Sequence, residues 1–418
     1  MEKIARDIVH TMQHDYAGGQ DKKGWDFPQT LIQGADQQTR EEFVHSVRDY
    51  LLDFNDYHIQ FIDTSIHKEA KKDPGFRVRR YQDHLIVTDI LGDTFLEKGM
   101  SIYSLGGHSV TELLKIHQRM LHESQAEREN WLPVLLRYSY GEIIDKEGAQ
   151  KSFTYQLVER SIAQPSYTLE SVSEETLLLT FSDFANPDAI MTLVLEHQEQ
   201  LTQAENWIID VRNNGGGSDS SFYPLMPFLM PEEGVELRGP EDRMLYHCTE
   251  ANAERALRDL SLDLEQVEDP NARLFLETYQ DQWSRHRGKG FVEFKFDAFL
   301  PDTFIKGTEY PKSVVVLTDV ECASSGESFV ELCKKSPKVT VIGRPTLGVN
   351  DYTNLVSQEW DEGYVLHYPS SKLARVDDGL GMTGKGIEPH VYIPWTPKHV
   401  EVDVDLNNAL ERLENQLK

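Results

Sequence analysis

Asp319-Val-Glu-Cys-Ala-Ser-Ser-Gly-Glu-Ser-Phe-Val330 decides how this chain is read. The β-branched run just before it, Ser313 to Leu317, has the composition of a buried strand. A turn of small residues follows, Ala323-Ser-Ser-Gly326, and then a helix-like stretch from Glu327 to Lys334. This layout predicts a hydroxyl at the mouth of a helix N-terminus, where backbone N–H groups lack intrahelical partners and favour negative charge. Acyl transfer needs such a place, because the attacked carbonyl becomes an oxyanion that must be stabilised. The same four residues, Ser324 to Glu327, also fit a capping box, in which Ser324 would only tie off the helix.

Around this segment the chain alternates strand and helix. Thr176 to Phe181 reads as a strand, Asp188 to Gln203 as a helix, and Trp207 to Val211 as a second strand. Val339 to Ile342 continues the series, which is the pattern of βα units around a buried sheet. Upstream, Phe76 to about Glu159 is β-rich, with short alternating runs such as Leu85 to Ile90 and a helical stretch from Thr111 to Leu121. Residues 1 to about 60 carry helical spacing at Ile4, Ile8 and Met12, and again from Glu41 to Phe54. Residues from about 232 to 295 are charged and helical, Ala251 to Val267 and Asn271 to Arg285. They read either as an insertion forming a lid or as a plain solvated helical face.

The 418 residues suggest two or three domains with ample length for buried cores. A net charge of −28 argues against nucleic-acid binding, since an acidic surface repels phosphates. No apolar run is long enough to span a membrane, and Met1 to Val9 reads as an amphipathic helix rather than a signal peptide. Three cysteines, Cys248, Cys322 and Cys333, show no metal spacing. No metal or cofactor is therefore expected, and a reduced, cytoplasmic setting is the simplest reading. A homo-oligomer stays open.

Two further constellations bear on chemistry. Arg212-Asn-Asn-Gly-Gly-Gly-Ser218 ends the strand at Val211, and its consecutive glycines let the backbone turn sharply and bring N–H groups close to a ligand. An ordinary glycine turn reads the same way, and no Gly-Lys-Ser/Thr follows to make a phosphate loop. Of 15 histidines, His58 stands out as a general base. It lies between apolar residues, where a helical pattern gives way to an alternating one. A histidine hydrogen-bonded in a domain seam is the competing reading.

In order along the chain stand Asp56-Tyr-His58, Ile209-Asp-Val-Arg-Asn-Asn-Gly-Gly-Gly217, Ala323-Ser-Ser-Gly-Glu327, Val341-Ile-Gly-Arg-Pro-Thr-Leu-Gly348 and Gly384-Lys-Gly-Ile-Glu-Pro389. This series resembles the tail-specific or C-terminal processing peptidases, and more closely the branch that includes the tricorn protease core. The resemblance implies an α/β fold: a ClpP/crotonase-like core with an N-terminal helical segment and a PDZ-like β-rich domain. The implied domains are 1–75, carrying His58, then 76–165, PDZ-like, and 166–418, the peptidase core with the helical insertion at about 232–295. Lys98 to Val110 looks like part of such a PDZ domain, with Met100 and Gly106 replacing the usual Asp and Asn.

Carried over residue by residue, the resemblance makes Ser324 the nucleophile and His58 the base. Ser325 and either Gly215 or Gly216 would supply backbone N–H groups to the oxyanion. One branch of the family uses a lysine base at the position held here by Val349, which cannot accept a proton. In the other branch, the Glu that orients the histidine falls on Thr383, and the Asp after the proline becomes His390. Loss of a triad acid lowers turnover by on the order of 10⁴-fold in another serine protease, or ~5 kcal/mol of barrier. Glu388, Asp377 or Asp378 would then take the role, or the enzyme is weak, or the chain binds peptides without cutting them. The expected function is a serine peptidase acting on peptides or unfolded protein segments. A peptide-binding pseudo-peptidase is the alternative, and a hydrolase of small acyl compounds a distant third.

Overall fold

The computed structural model describes residues 1–22, 28–65, 72–121, 123, 125–159, 164–296 and 303–416. Residues 160–163, beside the expected boundary at 165, lie outside them. Its contacts divide the chain into two units. The first joins three segments far apart in sequence, Met1–Lys68, Glu236–Phe304 and Val349–Thr383; the second holds the remainder.

In the first unit, the helix Glu2–His14 buries Ile4, Ile8 and Met12, as their spacing predicts. The helix Arg40–Leu51 begins with a true capping box, Thr39 with Glu42, and turns Phe43, Val44 and Val47 inward. These helices share a core with an antiparallel sheet of Gln60–Asp63, Tyr364–Leu373, Met244–Cys248 and Gly290–Glu293, to which Tyr352–Trp360 adds a hairpin. The charged stretch after residue 232 supplies the helices Glu250–Gln266 and Pro270–His286. Ala253, Ala256, Leu260 and Trp283 build them into the same core. Each fully buried aliphatic or aromatic side chain there contributes about 1.5–3 kcal/mol.

The second unit carries the expected βα units. Its six-stranded sheet runs Tyr167–Ser171, Thr176–Phe181, Asn206–Asp210, Ser313–Thr318, Val339–Gly343 and Val391–Tyr392, with every pairing after the first parallel. The helices Pro187–Glu196 and Ser325–Lys334 lie between successive parallel strands, and Val314 to Leu317 are buried. Register places Asp210 opposite Leu317 and Leu317 opposite Ile342. The loops after these three strands therefore leave the sheet at the same edge, the end where α/β sheets place their ligands. A second, antiparallel sheet in this unit comprises Phe76–Tyr81, His84–Ile90, Ser101–Leu105, Tyr140–Ile144 and Gln150–Thr154. It packs with the helix Val110–Ile116 over its own apolar core.

An ion network, buried at Arg344, Asp319 and Asp405, ties the strand ends together. Arg212 forks onto Asp210 and Asp403 at 2.6 and 2.7 Å, and Arg344 onto the fully buried Asp405 at 3.0 and 2.5 Å. Asp319 takes Arg79 at 2.9 Å and stands 3.0 Å from Arg344 Nε, an ionic contact off the hydrogen-bonding direction. Burial would raise the Asp319 carboxyl, but the Arg79 and Arg344 guanidiniums overcome it and hold it at about 2, against an ordinary 3.8. Asp405, likewise buried, is held low by His399 and Arg344. Because these folded-state values are depressed, the network's contribution is complete above the ordinary carboxylate range and is lost as pH falls toward 2. Arg344→Ala, which leaves two buried carboxylates short of a partner, is expected to cost about 3–5 kcal/mol in denaturant unfolding.

Candidate active site

The strand Ser313–Thr318 delivers the chain into the turn at Asp319–Ala323, and Ser324 then takes φ 52°, ψ −123° before the helix Ser325–Lys334 starts. A positive φ is costly for a residue with a Cβ, by roughly 1–3 kcal/mol. Here it carries the serine out of the helix, as at the strained strand-to-helix elbows that expose catalytic hydroxyls. Gly326, Glu327 and Ser328 donate their N–H groups back to Ala323 and Ser324 carbonyls at 2.8–3.1 Å, leaving the Ser325 N–H outside this first turn of bonds.

The capping-box reading fails. Ser324 makes no side-chain cap hydrogen bond. Glu327 instead is fully buried, and its Oε1 accepts from Thr346 Oγ1 at 2.6 Å and from the Gly348 N–H at 2.5 Å. The Leu347 N–H donates to the Cys322 carbonyl at 2.8 Å. The loop after the next strand thus grips the serine turn on both sides. Thr346 Oγ1 also accepts from the Ile387 N–H at 2.8 Å. A Cβ at Gly386 would stand 1.9 Å from the Thr346 carbonyl, which accounts for the glycine there. Arg128, buried and paired with Glu123, donates to the Pro345, Thr346 and Leu347 carbonyls from the β-rich region.

Asn214 joins the glycine loop to the serine turn. Fully buried, it donates to the Phe181 carbonyl at 3.1 Å, and its own carbonyl accepts the Ala323 N–H at 2.9 Å. Its Oδ1 accepts the Gly216 N–H at 3.0 Å, so that amide is already engaged. Gly216, at φ 98°, lies flat against the nucleophile candidate: a Cβ there would meet Ser324 Cβ at 2.6 Å and Ser324 Oγ at 3.1 Å. A Cβ at Gly215 would meet nothing within 4 Å, leaving open space on that side.

The second unit therefore brings Ser324, Ser325, Gly215 and Gly216 together. Glu388 is also in this unit, exposed, with its backbone carbonyl taking the Lys334 ammonium. His390 Nδ1 accepts the Val341 N–H at 3.0 Å; burial and then Lys334 lower its pKa, favouring the neutral acceptor form. His58 and Thr383 are in the first unit. The Thr383 N–H and hydroxyl both donate to Asp351 Oδ2 at 2.7 Å, so its proton is committed to that buried carboxylate. The His58 Nδ1 is buried with no hydrogen-bond partner among the described residues, 3.8 Å from Asp56 Oδ1. Reading the sequence alone assigned no role to Asn214, Thr346 or Arg128. The first two stand inside quoted motifs, whereas nothing local marks Arg128.

The sequence pattern of peptidase family S41 matches residues 175–393, just over half of the 418. No curated protein matches the chain. Among solved structures it is similar to mature CPAF, with 16% identity and a TM-score of 0.66 over 96% of this chain and 93% of that one. It is also similar to mature CPAF complexed with lactacystin, with 15% identity and a TM-score of 0.66 over 100% of this chain and 97% of that one. At these identities the likeness establishes the fold.

Two variants test the geometry. Gly216→Ala must push Ser324 aside, and a displacement near 1 Å costs on the order of 10²-fold; fluorophosphonate labelling of Ser324 should slow accordingly, with circular dichroism unchanged. Arg128→Ala should both lower stability in denaturant unfolding, by about 3–5 kcal/mol as its buried partner Glu123 is left unpaired, and slow that labelling.

Proposed function

The chain belongs to peptidase family S41, and on that premise we propose that it cleaves peptides or unfolded protein segments as a serine peptidase of the Ser/His, tricorn-like branch. What carries the reading is Ser324, held at positive φ against Gly216 at the open end of a helix. His58 takes the Ser324 proton as Oγ attacks the scissile carbonyl. The N–H groups of Gly215 and Ser325 receive the oxyanion, the Gly216 N–H being engaged by Asn214. His58 then protonates the departing amine. Water, deprotonated by the same imidazole, releases the acyl group.

The branch assignment rests on Val349, which stands where the other branch has its lysine and offers no basic atom. The β-rich region is the proposed PDZ-like element. Cys248, Cys322 and Cys333 are free and buried, which suits the reducing cytoplasm proposed for the chain.

Ser324→Ala should abolish fluorophosphonate labelling and lower peptide turnover by roughly 10⁴-fold or more, with His58→Ala comparably impaired in turnover. If wild type and Ser324→Ala behave alike in both assays, the peptidase reading fails. Peptide affinity without an acyl-enzyme in mass spectrometry would instead identify a binder that does not cut.

A further inference from the structure

Building on the Ser324 and His58 roles just proposed, we infer that Asp56 is the positioning residue for the base: its carboxylate orients His58 and stabilises the imidazolium formed during acylation. This places the acid two residues before the histidine, not at Thr383 or Glu388.

The local backbone brings the two together. The helix Arg40–Leu51 runs into a 3₁₀ turn, Leu52–Phe54, and Asn55 then adopts φ 43°, turning the chain back. Asp56 Oδ1 accepts the His58 N–H at 2.9 Å, an Asx turn that fixes the carboxylate relative to the histidine backbone. Its other oxygen accepts the Tyr16 hydroxyl at 2.6 Å. Burial, and then Asp56 itself, push the Tyr16 phenol well above its ordinary value, so Tyr16 remains a donor. The Asp56 side chain is only 3% exposed, and a charge so deep needs a counter-ion.

Lys22 provides it. This lysine is 7% exposed, and its ammonium donates to the Phe54 and Asn55 carbonyls on the turn that presents Asp56. Burial lowers its pKa, while Asp56, Asp351 and Asp21 act the other way, so all three carboxylates lie within its field. Tyr352, whose ring lies 4.9 Å from the ammonium, also lies within the field of Asp56.

The His58 ring needs what this cradle offers. Its Nδ1 is sealed from water and lacks a hydrogen-bond partner among the described residues, yet it stands 3.8 Å from Asp56 Oδ1. That separation is too long for a hydrogen bond, but catalytic hydrogen bonds are often long in ligand-free structures and tighten in the reacting complex. When the ring gains a proton at Nε2, its Nδ1–H requires an acceptor and its charge an anion. Asp56 supplies both. Thr383 has committed its proton to Asp351 and carries no charge of its own.

Asp56→Asn removes the charge and keeps the local architecture, because the amide oxygen can still accept the His58 N–H while the amide NH2 donates to the Tyr16 hydroxyl oxygen. It should lower kcat by roughly 10²–10⁴-fold with KM changed less than about threefold, and move the acid limb of the kcat/KM profile to lower pH. Asp56→Glu, which keeps the charge, should recover part of the rate. Tyr16→Phe concentrates negative charge on Asp56 and should move the same limb to higher pH. An Asp56→Asn enzyme with wild-type rate and limb overturns the inference while Ser324→Ala remains dead, leaving the peptidase reading intact. Retained turnover in both Ser324→Ala and His58→Ala overturns the reading underneath instead. Should Asp56→Asn fail to fold, an unmoved acid limb in Tyr16→Phe overturns the inference on its own.

Discussion

A single buried residue, Asn214, sets the distance between the glycine loop and the serine turn. Its backbone carbonyl receives the Ala323 N–H, its side-chain Oδ1 the Gly216 N–H, and its side-chain amide donates to the Phe181 carbonyl. Those bonds are possible because parallel pairing of Asn206–Asp210 with Ser313–Thr318 brings the two strands to the sheet edge in step. Gly326 then has room for no side chain: a Cβ would come 2.8 Å from the Asn214 carbonyl. Sheet register, one amide side chain and two glycines together leave the serine little freedom to relax.

That constraint is what sustains the backbone strain at Ser324. A positive φ costing roughly 1–3 kcal/mol persists only where its surroundings over-determine it. Around the turn, Glu327, Leu347 and Asn214 each contribute hydrogen bonds worth about 0.5–1.5 kcal/mol apiece. The salt-bridged Arg212, Arg344 and Asp319 hold the strand ends from which the loops depart. These bonds together match or exceed the strain, so the serine can be held out of the helix without unravelling it.

Much of this was legible in the sequence. The β-branched run at Ser313, the small-residue turn and the glycine triplet are local patterns whose conformations depend on nearest neighbours, and each took the form its composition implies. The family resemblance supplied the order of the pieces. The capping box at Ser324–Glu327 misled because the local donor lost to tertiary ones: the Thr346 hydroxyl and the Gly348 N–H, about twenty residues on, capture the carboxylate. At Thr39–Glu42 the same pattern does cap its helix. Arg128 and the union of three distant segments in the first unit depend on packing between remote stretches, which no window of sequence reports.

The treatment of charge differs between the two kinds of cluster. The network at the strand ends pairs guanidiniums with carboxylates by contacts forked at Arg212 and Arg344, an arrangement that fixes geometry. The cradle around Asp56 pairs its carboxylate with a phenol and with an ammonium whose hydrogen bonds go to carbonyls. Lys22 therefore neutralises Asp56 at a distance without occupying its lone pairs. Asp56 Oδ1 stands 3.8 Å from an imidazole nitrogen that has no hydrogen-bond partner among the described residues. A carboxylate meant only for stability would be tied down on every side, as Asp405 is. The Asp56 side chain is buried and balanced by Lys22, with one described donor on each oxygen, which suits a group that must answer a charge appearing and vanishing on the neighbouring ring.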